Sequence, residues 1–388
     1  MLTRLEKSPI GRFVPIGKGN KAYVPDPLPR RVELPAAVVY RLDQASRAVA
    51  TLAGVGETIP NPHLLSAPFM RREAVLSSRI EGTQASLSDL FFYEAATPRS
   101  PKGDVAEVAN YVEALEEGLT LLDKLPLSLR LMNTAHGTLM RGVRGSDMAP
   151  GELRREQVWI GSQGTGIGEA RFVPPPPEYV RDLVLDWEQF ANEELEIPPL
   201  VQCAMLHYQF ETIHPYLDGN GRIGRLLIVL FLCAKGVLPT PLLYLSAYFE
   251  RNRAAYYDHL LRLSASGDWP AWLAYFLEGV VEQANDALLR ARRVRSLQDK
   301  YRRLLQDRGE TANAFRLLDR LFESPLISAP NAAKHLGVTT AGARRMLERL
   351  AESGIVSLVP EHWPRIYVAQ ELLDVMQAAS YTGAKASQ

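Results

Sequence analysis

The chain has 388 residues, more than one typical domain needs, and two or three domains are expected. Lysine plus arginine and aspartate plus glutamate each total 44, so global charge points neither to nucleic acid nor to an acidic membrane surface. With 46% hydrophobic residues and two cysteines, the composition reads as a soluble globular protein without a disulfide framework. Cys203 and Cys233 both lie in apolar helical contexts, which fits a reducing cytoplasm. The N-terminus "MLTRLEKSPIGRFVPIG" lacks the apolar core of a secretion signal. The most hydrophobic run, Leu226 to Ala234, is far short of the roughly 20 residues that span a bilayer, so it is expected to be a buried helix.

Residues 1–35, rich in Pro and Gly, are expected to form an extended arm packed on the body. From Leu34 the segment "AAVVYRLDQASRAVATLAGVG" carries apolar residues at helical spacing and ends at glycines. "PFMRREAVLSSRIEGTQASLSDLFFYEA" is expected to be one helix. A charged link, "ATPRSPKGD", leads into the amphipathic "VAEVANYVEALEEGLTLLDKL", and "LSLRLMNTAHGTLMRGV" continues the helical pattern. The pattern breaks at residues 150–177, where two β-prone segments, "EQVWIG" and "ARFVP", flank a Gly-rich turn. This predicts a hairpin that ends at four prolines. Helices resume at Tyr179 and run to about Asp307. Past Gly309, three short helices and two short strands resemble a winged helix-turn-helix module. Its candidate recognition helix holds Arg344, Arg345 and Arg349 but also Glu348 and Glu352, so DNA binding and a helical interaction role stay open. The expected architecture is mainly α, in three regions: 1–100, 101–308 and 309–388.

The chemistry concentrates in "HPYLDGNGRIGRLL". Gly219 and Gly221 favour a turn and close approach of a ligand. A helix expected to begin at Arg222 would point unpaired N–H groups and its positive dipole end at that turn, which makes an anion site. Arg222 and Arg225 share one face of the first turn, where they repel each other unless polyphosphate sits between them. Asp218 is either a salt-bridge partner or a Mg²⁺ ligand beside phosphates. His214 closes the preceding helix; it is either a cap or, with an unperturbed pKa near 6.5, a general base. His207, seven residues earlier, is expected to be a packed helix residue.

This stretch resembles the signature of the Fic domain, in which His, Pro, an aromatic, an acid, Gly-Asn-Gly-Arg and a second Arg stand at this spacing. The one departure is Tyr216, where phenylalanine is usual. The resemblance implies a Fic-type helical bundle with a β-hairpin flap and transfer of AMP from ATP to a Ser, Thr or Tyr hydroxyl of a protein. It implies His214 as base and Asp218 as Mg²⁺ ligand. Asn220 and the N–H groups around Gly219 and Gly221 would form an anion hole, with Arg222 and Arg225 on the outer phosphates. The hairpin at 155–175 would align the target segment by strand-like pairing. Fic relatives that act as kinases carry lysine at the position of Gly221, which argues against phosphorylation.

A second motif, "LSSRIEGT", reads on its own as a helix end with a solvated glutamate. It also resembles the inhibitory helix of Fic proteins, with Ser77, Glu81 and Gly82 at the expected places. The resemblance implies that Glu81 pairs with Arg225 and blocks productive ATP binding. In some relatives the same glutamate removes AMP, so a de-AMPylating enzyme is one alternative; a nucleotide-sensing DNA-binding regulator acting through 309–388 is another. Whether the protein forms a homodimer stays open.

Overall fold

The structure, a computed structural model, describes residues 8–58, 61–96, 103–161, 164–360 and 364–379. The link expected around 97–102 lies outside the described residues. The N-terminal arm is not simply extended. Strands β1 (Gly11–Pro15) and β2 (Lys21–Pro25) pair antiparallel. Gly17, Lys18 and Gly19 turn the chain with positive φ, and prolines end both strands.

The body is helical and begins with α1 (Ala36–Thr58) and α2 (His63–Ile80). The single helix expected over 68–95 is two helices. Gly82, at φ 97°, ends α2 just after Glu81. α3 (Leu87–Ala95) then restarts from a reciprocal cap in which Ser86 Oγ accepts from Asp89 N–H and Asp89 accepts from Ser86 N–H. α4 (Asp104–Leu122), α5 (Leu129–Leu139) and α6 (Pro177–Asn192) surround the central pair, α7 (Pro199–Ile213) and α8 (Asn220–Ala234). In α7 and α8 nearly every side chain is buried, which explains the unbroken apolar run. α9 (Ser246–Arg251), α10 (Arg253–Ser266) and α11 (Trp269–Asp307) complete this part. α11 has 39 residues and is about 58 Å long at 1.5 Å per residue.

The hairpin expected at 155–175 is reduced to one antiparallel bridge, Ile160 with Phe172. The ladder stops for physical reasons. Prolines 174–177 have no N–H to donate, and the Val173 carbonyl is already taken by Tyr23 N–H at 2.9 Å. The flap is therefore a bridged loop braced by β2. A small cluster of Ala22, Ala170 and Val173 seals the two together.

Beyond Gly309 the chain forms α12 (Ala312–Glu323), β3 (Leu326–Ser328), α13 (Ala329–Leu336), α14 (Thr340–Glu352), β4 (Ser357–Leu358), β5 (Ile366–Val368) and α15 (Gln370–Gln377). The strands make one antiparallel sheet in the order β3-β5-β4. This region is not held at arm's length. α12 and α15 pack on α2, Asn331 Nδ2 donates to the Glu94 and Ala95 carbonyls, and a single apolar cluster continues from Leu28 to Met376. No helix among the described residues is long and apolar enough to cross a membrane.

Candidate active site

The centre of the site is the turn between α7 and α8. α7 ends at Ile213, and His214 takes a left-handed conformation, φ 51° and ψ 62°, immediately before Pro215. Gly219 follows in the same region at φ 79° and caps α8, which starts at Asn220, two residues earlier than expected. The first bond into the helix runs from Ile223 N–H to the Gly219 carbonyl, so the N–H groups before it have no helical acceptor. The Asn220 side chain does not face outward. Its amide accepts from Tyr216 N–H and donates to the Tyr216 carbonyl, both at 2.8 Å, and so closes the loop ahead of α8.

Three elements hold this loop from behind. On α5, His136 stacks on Tyr216 with ring centroids 3.8 Å apart. Its Nδ1 accepts from Gly151 N–H at 2.8 Å and its Nε2 donates to the Asp218 carbonyl at 2.9 Å. Burial lowers the His136 pKa to about 4, so the ring stays neutral in this two-sided role. The Tyr216 hydroxyl, the group that phenylalanine would lack, donates to Asn133 Oδ1 at 2.9 Å. A side chain at 219 would crowd Met140 Sδ at 2.8 Å, so the loop requires glycine there.

His214 Nδ1 donates to the Glu211 carbonyl at 3.3 Å, which leaves Nε2 as the ring's proton acceptor. Burial, then the Arg154 charge, lower its pKa to about 4. The imidazole is therefore neutral above that pH and competent to take a proton. Arg154 was not singled out in the sequence; it is 2% exposed, and its Nε donates to the His214 carbonyl at 2.8 Å.

The two arginines of the motif are 1% and 2% exposed. Arg222 Nη1 donates to Glu107 Oε2 on α4 at 3.3 Å, and its Nη2 lies 4.0 Å from Asp218. Its buried Nε has no partner among the described residues, a spare donor beside the loop. Arg225 Nε donates to Ser77 Oγ at 2.9 Å, and its Nη2 donates to the Ser77 carbonyl at 2.9 Å and to Glu81 Oε1 at 2.7 Å. The structure thus brings Ser77 and Glu81 to Arg225, 148 and 144 residues away along the chain, with Gly82 ending the helix that carries them. Burial alone would raise the Glu81 pKa; Arg225 outweighs it, and the net shift is downward. A Cβ at 221 would collide with Glu81 Oε1, so Gly221 is also what lets the glutamate reach this depth.

Glu107 and Glu211 were also missed. Glu107 Oε2 accepts from Thr83 Oγ1 at 3.0 Å as well as from Arg222, tying the segment after α2 to the second guanidinium. Burial, opposed by Arg225 and assisted by Glu81, raises the Glu211 pKa to about 7, and its buried Oε1 has no hydrogen-bond partner among the described residues.

Asp218 carries the open carboxylate of the loop. Its side chain is 43% exposed, and Oδ1 accepts from Gly219 N–H at 2.6 Å. No group of three or more metal-ligating side chains occurs among the described residues. One open carboxylate beside an anion loop suits Mg²⁺, which keeps several waters and binds through a carboxylate and substrate phosphates. It does not suit a resident, fully protein-ligated ion.

His207 is a packed residue. Its Nδ1 donates to the Gly224 carbonyl at 3.1 Å, its Nε2 meets the Tyr256 hydroxyl at 2.8 Å, and Phe249 stacks on the ring. On α14, Arg349 pairs with Glu310 at 2.5 Å and Arg344 with Glu348 at 3.6 Å, so much of that helix's positive charge is neutralised within the chain.

Residues 39–120 match the Fic/DOC family N-terminal region and residues 126–232 match the Fic/DOC family. The chain is 34% identical over 127 residues to protein adenylyltransferase fic-1 of Caenorhabditis elegans, a match covering 32% of this chain and 22% of that protein. It is 28% identical over 216 residues to protein adenylyltransferase Fic of Drosophila persimilis, covering 55% of this chain and 38% of that one. The matches therefore span well under half of these relatives' length. In fold, the chain is similar to a Fic family protein from Desulfovibrio desulfuricans G20 with a TM-score of 0.55 and 20% identity, covering 87% of this chain and 97% of that one. The chain carries a Fic/DOC family N-terminal region followed by a Fic/DOC family domain.

Proposed function

We propose that the protein is a protein adenylyltransferase that transfers AMP from ATP to a hydroxyl side chain and is held off by its own α2. The observation that carries this reading is the Glu81–Arg225 contact at 2.7 Å inside a Fic motif whose base and acid are both intact. His214 takes the proton of the target hydroxyl as its oxygen bonds to the α-phosphorus. The bond from that phosphorus to the bridging oxygen breaks, and pyrophosphate leaves. The loop N–H groups and Arg222 stabilise the charge that builds on the phosphate oxygens. Mg²⁺ on Asp218 would neutralise phosphate charge when bound. The bridged flap at 155–175 docks the target segment through main-chain groups.

Arg225 is the outer-phosphate ligand, and Glu81 competes for it. A triphosphate entering the site meets an occupied guanidinium and a repelling carboxylate. A second reading, hydrolytic removal of AMP, is favoured by the reach of Glu81 Oε1 to Gly221 in the motif, from which the same carboxylate orients a water.

The test is incubation of Glu81→Gly with ATP and Mg²⁺, with mass spectrometry of the protein and of added lysate proteins. The expected result is an AMP adduct on a hydroxyl side chain that disappears when His214→Ala is added to Glu81→Gly. General-base loss accounts for a fall of roughly 10²–10⁴ in rate. An adduct of another mass, or none, refutes the transferase reading. Release of AMP from a modified protein by the wild type but not by Glu81→Gly supports the hydrolytic one.

A further inference from the structure

The flap and the base are joined by one buried side chain. Arg154 stands at the first foot of the flap and is 2% exposed, with no ion pair among the described residues. Its guanidinium is met by carbonyls alone. Nε donates to His214 O at 2.8 Å, and Nη2 donates to Ile213 O at 3.3 Å. Nη1 donates to Glu156 O at 3.1 Å, and Nη2 also donates to Pro175 O at 2.5 Å. Its own N–H donates to Pro215 O at 2.9 Å. One residue thus holds three consecutive carbonyls around the base, 213 to 215, and one carbonyl at each foot of the flap.

The arrangement has a physical reason. A left-handed non-glycine residue is strained and persists only where its surroundings over-determine it. At His214 a following proline restricts the backbone further. A lone buried cation is also unfavourable unless fully hydrogen-bonded. Each problem answers the other, because the carbonyls turned inward by the left-handed peptide satisfy the guanidinium. Only a planar five-donor fork reaches two groups of carbonyls at once; an ammonium does not.

We propose that Arg154 is a positioning residue that fixes the flap, and so a docked target hydroxyl, against the His214 ring. It touches neither nucleotide nor target. The claim about catalysis rests on the transferase reading, but the mechanical link between flap and base does not. A misplacement of about 1 Å between reacting groups costs roughly a hundredfold in rate.

The experiment uses the full chain carrying Glu81→Gly as parent. Adding Arg154→Lys is expected to lower kcat for AMP transfer roughly a hundredfold while ATP affinity stays that of the parent. Arg181→Lys, at an exposed side chain on α6 outside the flap, serves as the control with no effect. Arg154→Ala with added methylguanidinium covers the case in which the lysine variant does not fold, and partial recovery of kcat is expected. Hydrogen exchange is followed in the same variants. The amides of Ile160, Phe172 and His214 should lose protection together.

Parent-like kcat in Arg154→Lys overturns the proposal, as does loosening of the flap with His214 protection unchanged. If the parent transfers no AMP, the transferase reading fails, and joint or separate loss of protection still decides whether Arg154 links flap and base.

Discussion

Arg222 and Arg225 stand three residues apart on the first turns of α8 and are 1% and 2% exposed, yet they are held in different ways. Arg222 is anchored from inside, by Glu107, whose side chain is 5% exposed and belongs to the first turn of α4. Arg225 is held by the end of α2, through Ser77 and through a Glu81 side chain that is 31% exposed. Glu81 sits at the α2 C-terminus, and the next residue, Gly82, is at φ 97°. One acid is locked in the core. The other hangs from a helix end, partly wet, on a glycine hinge. In the proposed reaction Arg222 meets the phosphates from a fixed seat, whereas Arg225 is the arginine whose partner competes with them.

The comparison can be broken first at Glu107. Glu107→Gln removes the charge from a buried pair, which typically costs about 3–5 kcal/mol. A large drop in Tm by calorimetry is expected, with no gain in AMP transfer. Next comes Glu81→Gly. A charge-assisted hydrogen bond of about 1.5–3 kcal/mol corresponds to roughly a ten- to hundredfold rise in transfer. Its Tm should fall by less than that of Glu107→Gln, because Glu81 is 31% exposed and Arg225 keeps both bonds to Ser77. Ser77→Ala removes one of the three bonds to Arg225 and leaves Glu81 in place. It should raise transfer by only about fivefold, the equivalent of about 1 kcal/mol.

The smallest effect is on pH dependence. Burial lowers the pKa of His207 to about 3 and those of His136 and His214 to about 4. The unfolded chain then binds more protons than the folded one below the ordinary histidine value near 6.5, so stability falls as pH drops from about 7 towards 4. His207→Gln should flatten that slope in Tm measured across the range. It should leave the ratio of Glu81→Gly to wild-type rates unchanged, since His207 serves the core behind α8 and neither arginine's partner.

Much of the site was legible because it is local. Histidine, acid, glycines and arginines fall within twelve residues, and their order dictates a helix end, a turn and a helix start. The pairing of Glu81 with Arg225 could be read only through resemblance, because no spacing rule connects positions 144 residues apart. Arg154, His136 and Glu107 were illegible for the same reason. Each acts through bonds to groups distant in sequence, and a lone Arg, His or Glu in a helix or loop carries no periodic signal.

The strands were misjudged in both directions. The N-terminal "GRFVP" and "KAYVP" found each other, while "EQVWIG" and "ARFVP" made only a bridge, because β2 took the Val173 carbonyl. Competition between segments decides strand pairing, and propensity does not report it. The break at Gly82 was hidden by strong helical periodicity on both sides, although Gly82 and Ser86 carried the signals for it.

The central claim is that Arg225 is held by a partner able to leave. The most direct measurement is the initial rate of labelled-AMP incorporation by wild type and Glu81→Gly, side by side at equal fold stability. A rise of roughly tenfold or more in the variant is expected from losing the pair. Equal rates in an otherwise active enzyme would contradict the account.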